Sequence, residues 1–329
     1  MVDETHIRRQ RIGRTPWGQI VVGQAMRVDY RLPRPTRIAL EGVENVPRDR
    51  RVLFALNHTD RYNYWPFQYA MWRRGGLPYT AVWIKAKYYR NALLGAFFDL
   101  MDGIPLPSRG YLLLLRGQAA LGRRLDDREY RALRDLSVGR IGEAAAREAG
   151  GEGVARVLGA ALAGFDPAGG PWADRLERDL EGAMGAVEDL TLRAMAAGRN
   201  VIVFPQGTRS LRLLPARTGI VQFAIRHGVP IVPVGSNGCE RVYPGASPFS
   251  KGGDVTYRIG RPLEVDDAFA DCRPDGPFVP FTRSADRYRE PFDRAAARVT
   301  EAIDALLDAP YRLDPAAAAT RGTDLGRLV

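Results

Sequence analysis

The chain is poor in the residues that build metal centres and disulfide frameworks. It has two cysteines, Cys239 and Cys272, and three histidines, His6, His58 and His227, among 329 residues. None stands at the paired spacings of zinc motifs, and two isolated cysteines make no disulfide framework, so no metal and a reducing compartment are expected. Nowhere do about 18 apolar residues run consecutively, and the arginine-bearing N-terminus has no apolar h-region with a cleavage site. The expectation is a cytoplasmic protein without a spanning helix. Lysine is scarce too, occurring only at 85, 87 and 251 among 48 basic residues. The net charge is nonetheless +10, which fits anionic partners: nucleic acid, acidic membrane lipid, a phosphorylated substrate or coenzyme A. No recognised nucleic-acid motif and no aromatic-basic stacking pattern is present, so nucleic acid is set aside.

Two stretches carry the chemistry. Arg51-Val52-Leu53-Phe54-Ala55-Leu56 reads as a buried strand that breaks at once into Asn57-His58-Thr59-Asp60-Arg61-Tyr62-Asn63. Far along the chain, Val201-Ile202-Val203 does the same and opens into Phe204-Pro205-Gln206-Gly207-Thr208-Arg209-Ser210. In open α/β sheets, ligands bind beyond the carboxyl ends of the strands, so both stretches occupy positions suited to a site. The first offers an imidazole that titrates near neutrality. The second offers a glycine turn, hydroxyls and a fixed positive charge. Together they read as a base and an anion cradle.

These residues resemble the motifs of the glycerolipid acyltransferases, the lysophosphatidic acid acyltransferases and their relatives. The family's first motif is Asn-His followed by four residues and an Asp; here Asn57-His58 is followed by Asn63. Its third, Phe-Pro-Glu-Gly-Thr-Arg-Ser, stands as Phe204–Ser210 with Gln206 in the acidic position. The second is matched by Ala86-Lys87-Tyr88-Tyr89, Gly95 and Gly103-Ile104-Pro105-Leu106-Pro107-Ser108-Arg109, and the fourth by Val229-Pro230-Ile231-Val232-Pro233-Val234. The resemblance spans roughly 50–109 and 185–262. It implies transfer of a fatty acyl group from acyl-CoA or acyl carrier protein to a hydroxyl of a lysophospholipid-like acceptor. His58 would be the general base, with direct attack and no acyl-enzyme, since no Gly-x-Ser-x-Gly elbow is visible. Gln206, Gly207, Thr208, Arg209, Ser210, Lys87 and Arg109 are the candidate substrate contacts. No cofactor is implied beyond the acyl donor. Both family acids are amides here, which leaves Asp60 and Asn63 as rivals for the His58 ring. It also leaves a catalytically weak lipid- or acyl-CoA-binding protein as the alternative to an enzyme.

The fold implied is α/β, a mixed and mainly parallel sheet flanked by helices, with an inserted helical cap. Residues 1–48 read as an N-terminal helix and a strand. Within them Trp17, Ile20, Val21, Val22, Ala25, Met26 and Val28 form an apolar helical stripe that suits either the protein's own core or the headgroup plane of a membrane. Residues 49–311 read as the acyltransferase domain, with Asn63 as a helix N-cap placing Pro66 in the first turn. Helices are expected from about Lys87 to Leu100 and from Leu214 to Arg226, the latter ending at His227-Gly228. The segment from about 110 to 185 reads as a helical insertion beside the site, broken at Gly150–Gly153 and Phe165–Pro171. Phe292, Val299, Ile303, Leu306 and Leu307 mark a C-terminal helix, and 312–329 a loose tail. The protein is expected at the inner face of the membrane as a peripheral protein.

Overall fold

A computed structural model describes residues 2–162, 165, 167–313 and 316. Seven strands, β1 (Thr36–Glu41), β2 (Leu53–Leu56), β3 (Thr80–Lys85), β4 (Gly103–Leu106), β5 (Asn200–Val203), β6 (Ile231–Asn237) and β7 (Gly253–Ile259), form one sheet in the order β1-β7-β6-β2-β5-β3-β4. From β6 to β4 the pairing is parallel; β7 runs antiparallel to β6 and carries β1 parallel beside it. The fold is thus mixed and mainly parallel. The unbroken apolar runs of β2 and β5 follow from this, because a strand covered on both faces has no wet side to make polar. Every residue of both strands is buried.

Alternation along the strands divides the interior in two. Leu53, Ala55, Ala81, Trp83, Val201 and Val203 face one core, and Phe54, Leu56, Val82, Ile202, Val232 and Val234 the other. The second core is closed by the helix Tyr64–Arg74 through Phe67, Tyr69 and Met71, with Met26 from the helix Trp17–Asp29.

The first core is where the structure departs from expectation. Helices Arg109–Leu121, Asp127–Ser137, Glu143–Gly159 and Trp172–Ala196 send Leu112, Leu113, Leu133, Val154, Leu176 and Leu180 into the same cluster as the strands. The segment expected as a cap is a structural layer on the sheet. Its apolar stripes are too wide to be left against solvent, and the sheet face is what they cover. The expected break at Gly150–Gly153 is a kink inside one helix, at Gly151 (φ 66°, ψ −155°), whereas Pro171 does precede a new helix.

Other boundaries shift for local reasons. Residues Ala86–Arg90 form a 3₁₀ turn, and the helix proper runs Ala92–Leu100, capped by the Asn91 side chain accepting from the backbone N–H groups of Leu93 and Leu94. The helix expected from Leu214 starts at Gly219, because Pro215 and the bond from Arg217 N–H to the Pro205 carbonyl (2.7 Å) hold the chain in a loop. Its end at His227 with Gly228 left-handed is as expected. Nor does the sheet respect a division at 48, since β1 pairs with β7. The tail after 313 lies outside the described residues, except for 316.

The helix Trp17–Asp29 packs one face on the protein's own core and leaves the other bare. Gly18, Gln19, Gly23 and Met26 pack inward, Gly18 so tightly that a Cβ would fall 2.1 Å from the Leu100 carbonyl oxygen. Trp17, Val21 and Val28 face outward, each more than 60% exposed. No helix among the described residues is long and apolar enough to cross a membrane.

If the 110–185 layer is part of the core, Leu176→Ala should destabilise the whole protein by about 2–5 kcal/mol, read as a lowered urea midpoint with one cooperative transition. A separate early transition confined to the layer would contradict this.

Candidate active site

β2 and β5 are adjacent and parallel, with Ala55 opposite Val203, so the two motif stretches leave the sheet side by side. They are then stitched together. The Ser210 N–H donates to the His58 carbonyl (2.9 Å), and the Phe204 ring stacks on the His58 imidazole with centroids 4.1 Å apart and planes within 19°. Asn57 anchors the first stretch on the other side. Its side chain accepts from the Ser236 N–H at 2.7 Å and donates to the Ser236 carbonyl at 3.0 Å, extending the β2–β6 pairing by one side chain.

The rivalry for the imidazole is settled in favour of Asn63, whose Oδ1 lies 3.2 Å from His58 Nδ1. Its Nδ2 donates to the Asn57 carbonyl at 2.7 Å. A carbonyl can only accept, so the amide nitrogen must face Asn57 and the amide oxygen must face the ring. Nδ1 therefore carries the proton, and Nε2 presents a lone pair. Asn63 precedes the helix at Tyr64 as expected, but its side chain caps nothing: the ring has taken its oxygen. Asp60 is corrected out of the catalytic set. Its carboxylate accepts from Thr59 Oγ1 (2.9 Å) and the Tyr62 N–H (2.8 Å), and burial raises its pKa.

Gln206 is likewise not a substrate contact. It is 3% exposed, accepts weakly from the His58 N–H at 3.3 Å and donates to the Thr208 carbonyl at 3.0 Å. Both motif positions that hold amides thus use the N–H half of the amide, which a carboxylate lacks.

Burial, with the charges of Arg209 and Lys85 behind it, lowers the His58 pKa to about 4, only partly offset by the Asn63 bond. The ring is neutral at pH 7. Around it gathers a cationic cluster that the sequence locates only in part. Lys85, the last residue of β3, is depressed by burial and then by Lys87, Arg217 and Arg209. Arg217 lies against Gly207, where a Cβ would sit 2.8 Å from its Nε; Gly207 also holds a φ of 70°, so glycine is required there twice over. Arg209 and Arg217 have no carboxylate in ion-pair range among the described residues. Lys85 and Arg217 are not among the site residues that the sequence motifs mark. Lys85 was legible as a scarce lysine ending a strand next to β5, whereas nothing local marks Arg217.

Lys87 and Thr208 are exposed, beside this cluster and on the Gly207 turn respectively. Arg109 is not part of it. Its guanidinium donates to Glu177 at 2.7 Å, with both side chains nearly buried, which joins two helices of the first core. Among the described residues no group of three His, Cys, Asp or Glu side chains is placed to hold a metal.

Residues 156–237 match the Acyltransferase family model. The match covers about a quarter of the chain. It takes in Phe204–Ser210 and the strand after them, and begins beyond His58. Among solved structures, the 1-acyl-sn-glycerophosphate (LPA) acyltransferase PlsC from Thermotoga maritima is 16% identical, with 86% of this chain and 78% of that chain covered and a TM-score of 0.40. No curated protein gives a significant match.

Replacing Asn63 by Asp places a negative charge on the ring's partner. The expected result is a His58 pKa raised by about 1–3 units, read by NMR titration of the ring. An unchanged titration would mean that Asn63 does not contact the imidazole in solution.

Proposed function

We propose that the acyltransferase domain moves a fatty acyl group from acyl-CoA or acyl carrier protein to a hydroxyl of a phosphate-bearing lysophospholipid-like acceptor. The observation that carries this reading is the neutral imidazole with its tautomer fixed by Asn63, set beside Arg209 and Arg217, which no carboxylate among the described residues neutralises. His58 Nε2 takes the proton of the acceptor hydroxyl as the oxygen attacks the thioester carbonyl. The tetrahedral intermediate carries its negative charge on the former carbonyl oxygen. The backbone N–H groups of Thr208 and Arg209, for which no intramolecular hydrogen bond stands among the described residues, supply donors there. Collapse breaks the C–S bond, and the imidazolium returns its proton to the departing thiolate. Asn63 accepts from Nδ1–H throughout and keeps the ring in place.

The cations serve a second purpose. A pKa near 4 makes a weak base, and Arg209 and Lys85 are part of its cause. A bound phosphate offsets those charges and raises the His58 pKa in the complex, so an anionic acceptor improves the base as it binds. Neutral acceptors leave the imidazole weak.

The same reading places the protein at a membrane surface, where long-chain acceptors reside. Its support is the outward stripe of Trp17, Val21 and Val28, continued by Leu93, Leu94 and Leu100 on the neighbouring helix, which Gly18 brings into contact.

Incubation with acyl-CoA or acyl carrier protein and a panel of lysolipids and glycerol phosphate, read by mass spectrometry, should yield a new acyl ester. His58→Ala should lower its rate about 10²–10⁴-fold. The acid limb of kcat/KM should fall near 4, and that of kcat at higher pH, because kcat reports the substrate complex. Coincident limbs would remove the role given to the acceptor's phosphate. Thioester binding without turnover, unchanged in His58→Ala, would favour a lipid- or acyl-CoA-binding protein instead.

A further inference from the structure

A second cationic site lies away from the imidazole. A cavity of about 400 Å³ is lined by Tyr30, Arg31, Thr36, Tyr69, Arg73 and Arg74, with apolar side chains from β1 completing it. Its size is within the roughly 300–1,000 Å³ of small-ligand pockets. No carboxylate lines it, and the three arginines make no ion pair among the described residues. The floor is rigid: Tyr30 and Tyr69 are buried, meet edge to face at 4.9 Å, and are braced by the bond between the Tyr30 and Tyr243 hydroxyls (2.8 Å). Tyr69 also steadies one guanidinium, accepting from Arg73 Nη1 at 3.2 Å.

Like charges brought together over a fixed floor repel one another, and here they also sit at the C-terminal end of the helix Tyr64–Arg74. Its carbonyls favour cations, which eases the cost but leaves the arginines unneutralised. The helix has 11 residues, so the cavity is about 15 Å from Asn63 at its other end, too far to belong to the site around His58.

The surroundings indicate the ligand. Trp17, Val21 and Val28 recur at intervals of four and seven residues along the outward face of the helix Trp17–Asp29, and in the turn just beyond its end Leu32, itself 67% exposed, stands next to Arg31. With that stripe in the acyl-headgroup boundary, the cavity opens at headgroup depth. We propose that it binds the phosphate of an anionic phospholipid headgroup, Arg31, Arg73 and Arg74 each able to grip phosphate oxygens in bidentate fashion. The membrane is then recognised by charge as well as by apolar contact. The helix Tyr64–Arg74 links the bound headgroup to the residue that orients His58. This rests on the membrane-surface reading above.

The test uses the full chain and sedimentation with vesicles of phosphatidylcholine alone or of phosphatidylcholine mixed with phosphatidylglycerol. The wild type should prefer the mixed vesicles. The triple variant R31Q/R73Q/R74Q should lose about a hundredfold in affinity for them while keeping its binding to pure phosphatidylcholine. A control of equal charge change on exposed arginines elsewhere, R124Q/R156Q/R261Q, should lose less than about threefold, since charges beyond a Debye length are screened. Equal losses in the two triple variants would assign the preference to diffuse charge and overturn the cavity. If the triple variant binds inorganic phosphate more weakly than the wild type while the two bind mixed vesicles equally well, the site is one for free phosphate and the headgroup is overturned. A wild type that binds both vesicles equally well overturns the cavity alone; one that binds neither overturns the membrane reading itself.

Discussion

The imidazole of His58 is oriented by an amide whose far end is already committed. Because the Asn63 nitrogen must donate to the Asn57 carbonyl, its oxygen has one direction left, and the ring's proton has one nitrogen on which to reside. Much of the site depends on that chain of obligations. Asn57 is held by both backbone groups of Ser236, and the Asn63 carbonyl accepts from the buried Tyr257 hydroxyl on β7. Gln206 repeats the device across the cleft, accepting from one motif loop and donating within the other. In both places a carboxylate would set its lone pairs against a carbonyl oxygen in a buried position, which is costly. The two amides are therefore a consistent pair, and the ring beside them is neutral because it is buried, with Arg209 and Lys85 adding to the effect.

The position of the site follows from the sheet. Parallel pairing of β2 with β5 aligns the ends of two segments far apart in sequence, and β3 beside them adds Lys85. What lies between β4 and β5 is mostly the helical layer of the first core. It covers one face of the sheet with aliphatic side chains and uses paired charges such as Arg109–Glu177 and Arg116–Asp179 to lock its helices together. The layer is thus scaffold. Arginines without a carboxylate among the described residues gather elsewhere, Arg209 and Arg217 beside the strand ends and Arg31, Arg73 and Arg74 at the far end of the helix Tyr64–Arg74.

A good part of this is legible in the sequence. The strand residues, the break after Leu56 and after Val203, the glycine end of the helix at Gly228 and the α/β class all follow from apolar period and turn chemistry acting over a few residues. The placement of His58 at a strand end is legible too, and of the three histidines only His58 stands in such a position. Partner choice is not. Asp60 and Asn63 are both within reach in sequence, and the Tyr62 N–H and the Thr59 hydroxyl decide which of them is left for the ring. Arg109 reads as an anion contact in its own segment, and Glu177, 68 residues away, is what claims it.

By itself the sequence determined which segments are strands and helices and which residue types stand at the strand ends, because those are settled by local pattern and by the need to bury apolar runs. Tertiary structure alone decided which charges are paired and which stand open, which face of the helix Trp17–Asp29 is left bare, and which nitrogen of His58 carries the proton. Those outcomes depend on contacts between residues distant in the chain, where a single carbonyl or carboxylate within about 3 Å fixes a polar group's role.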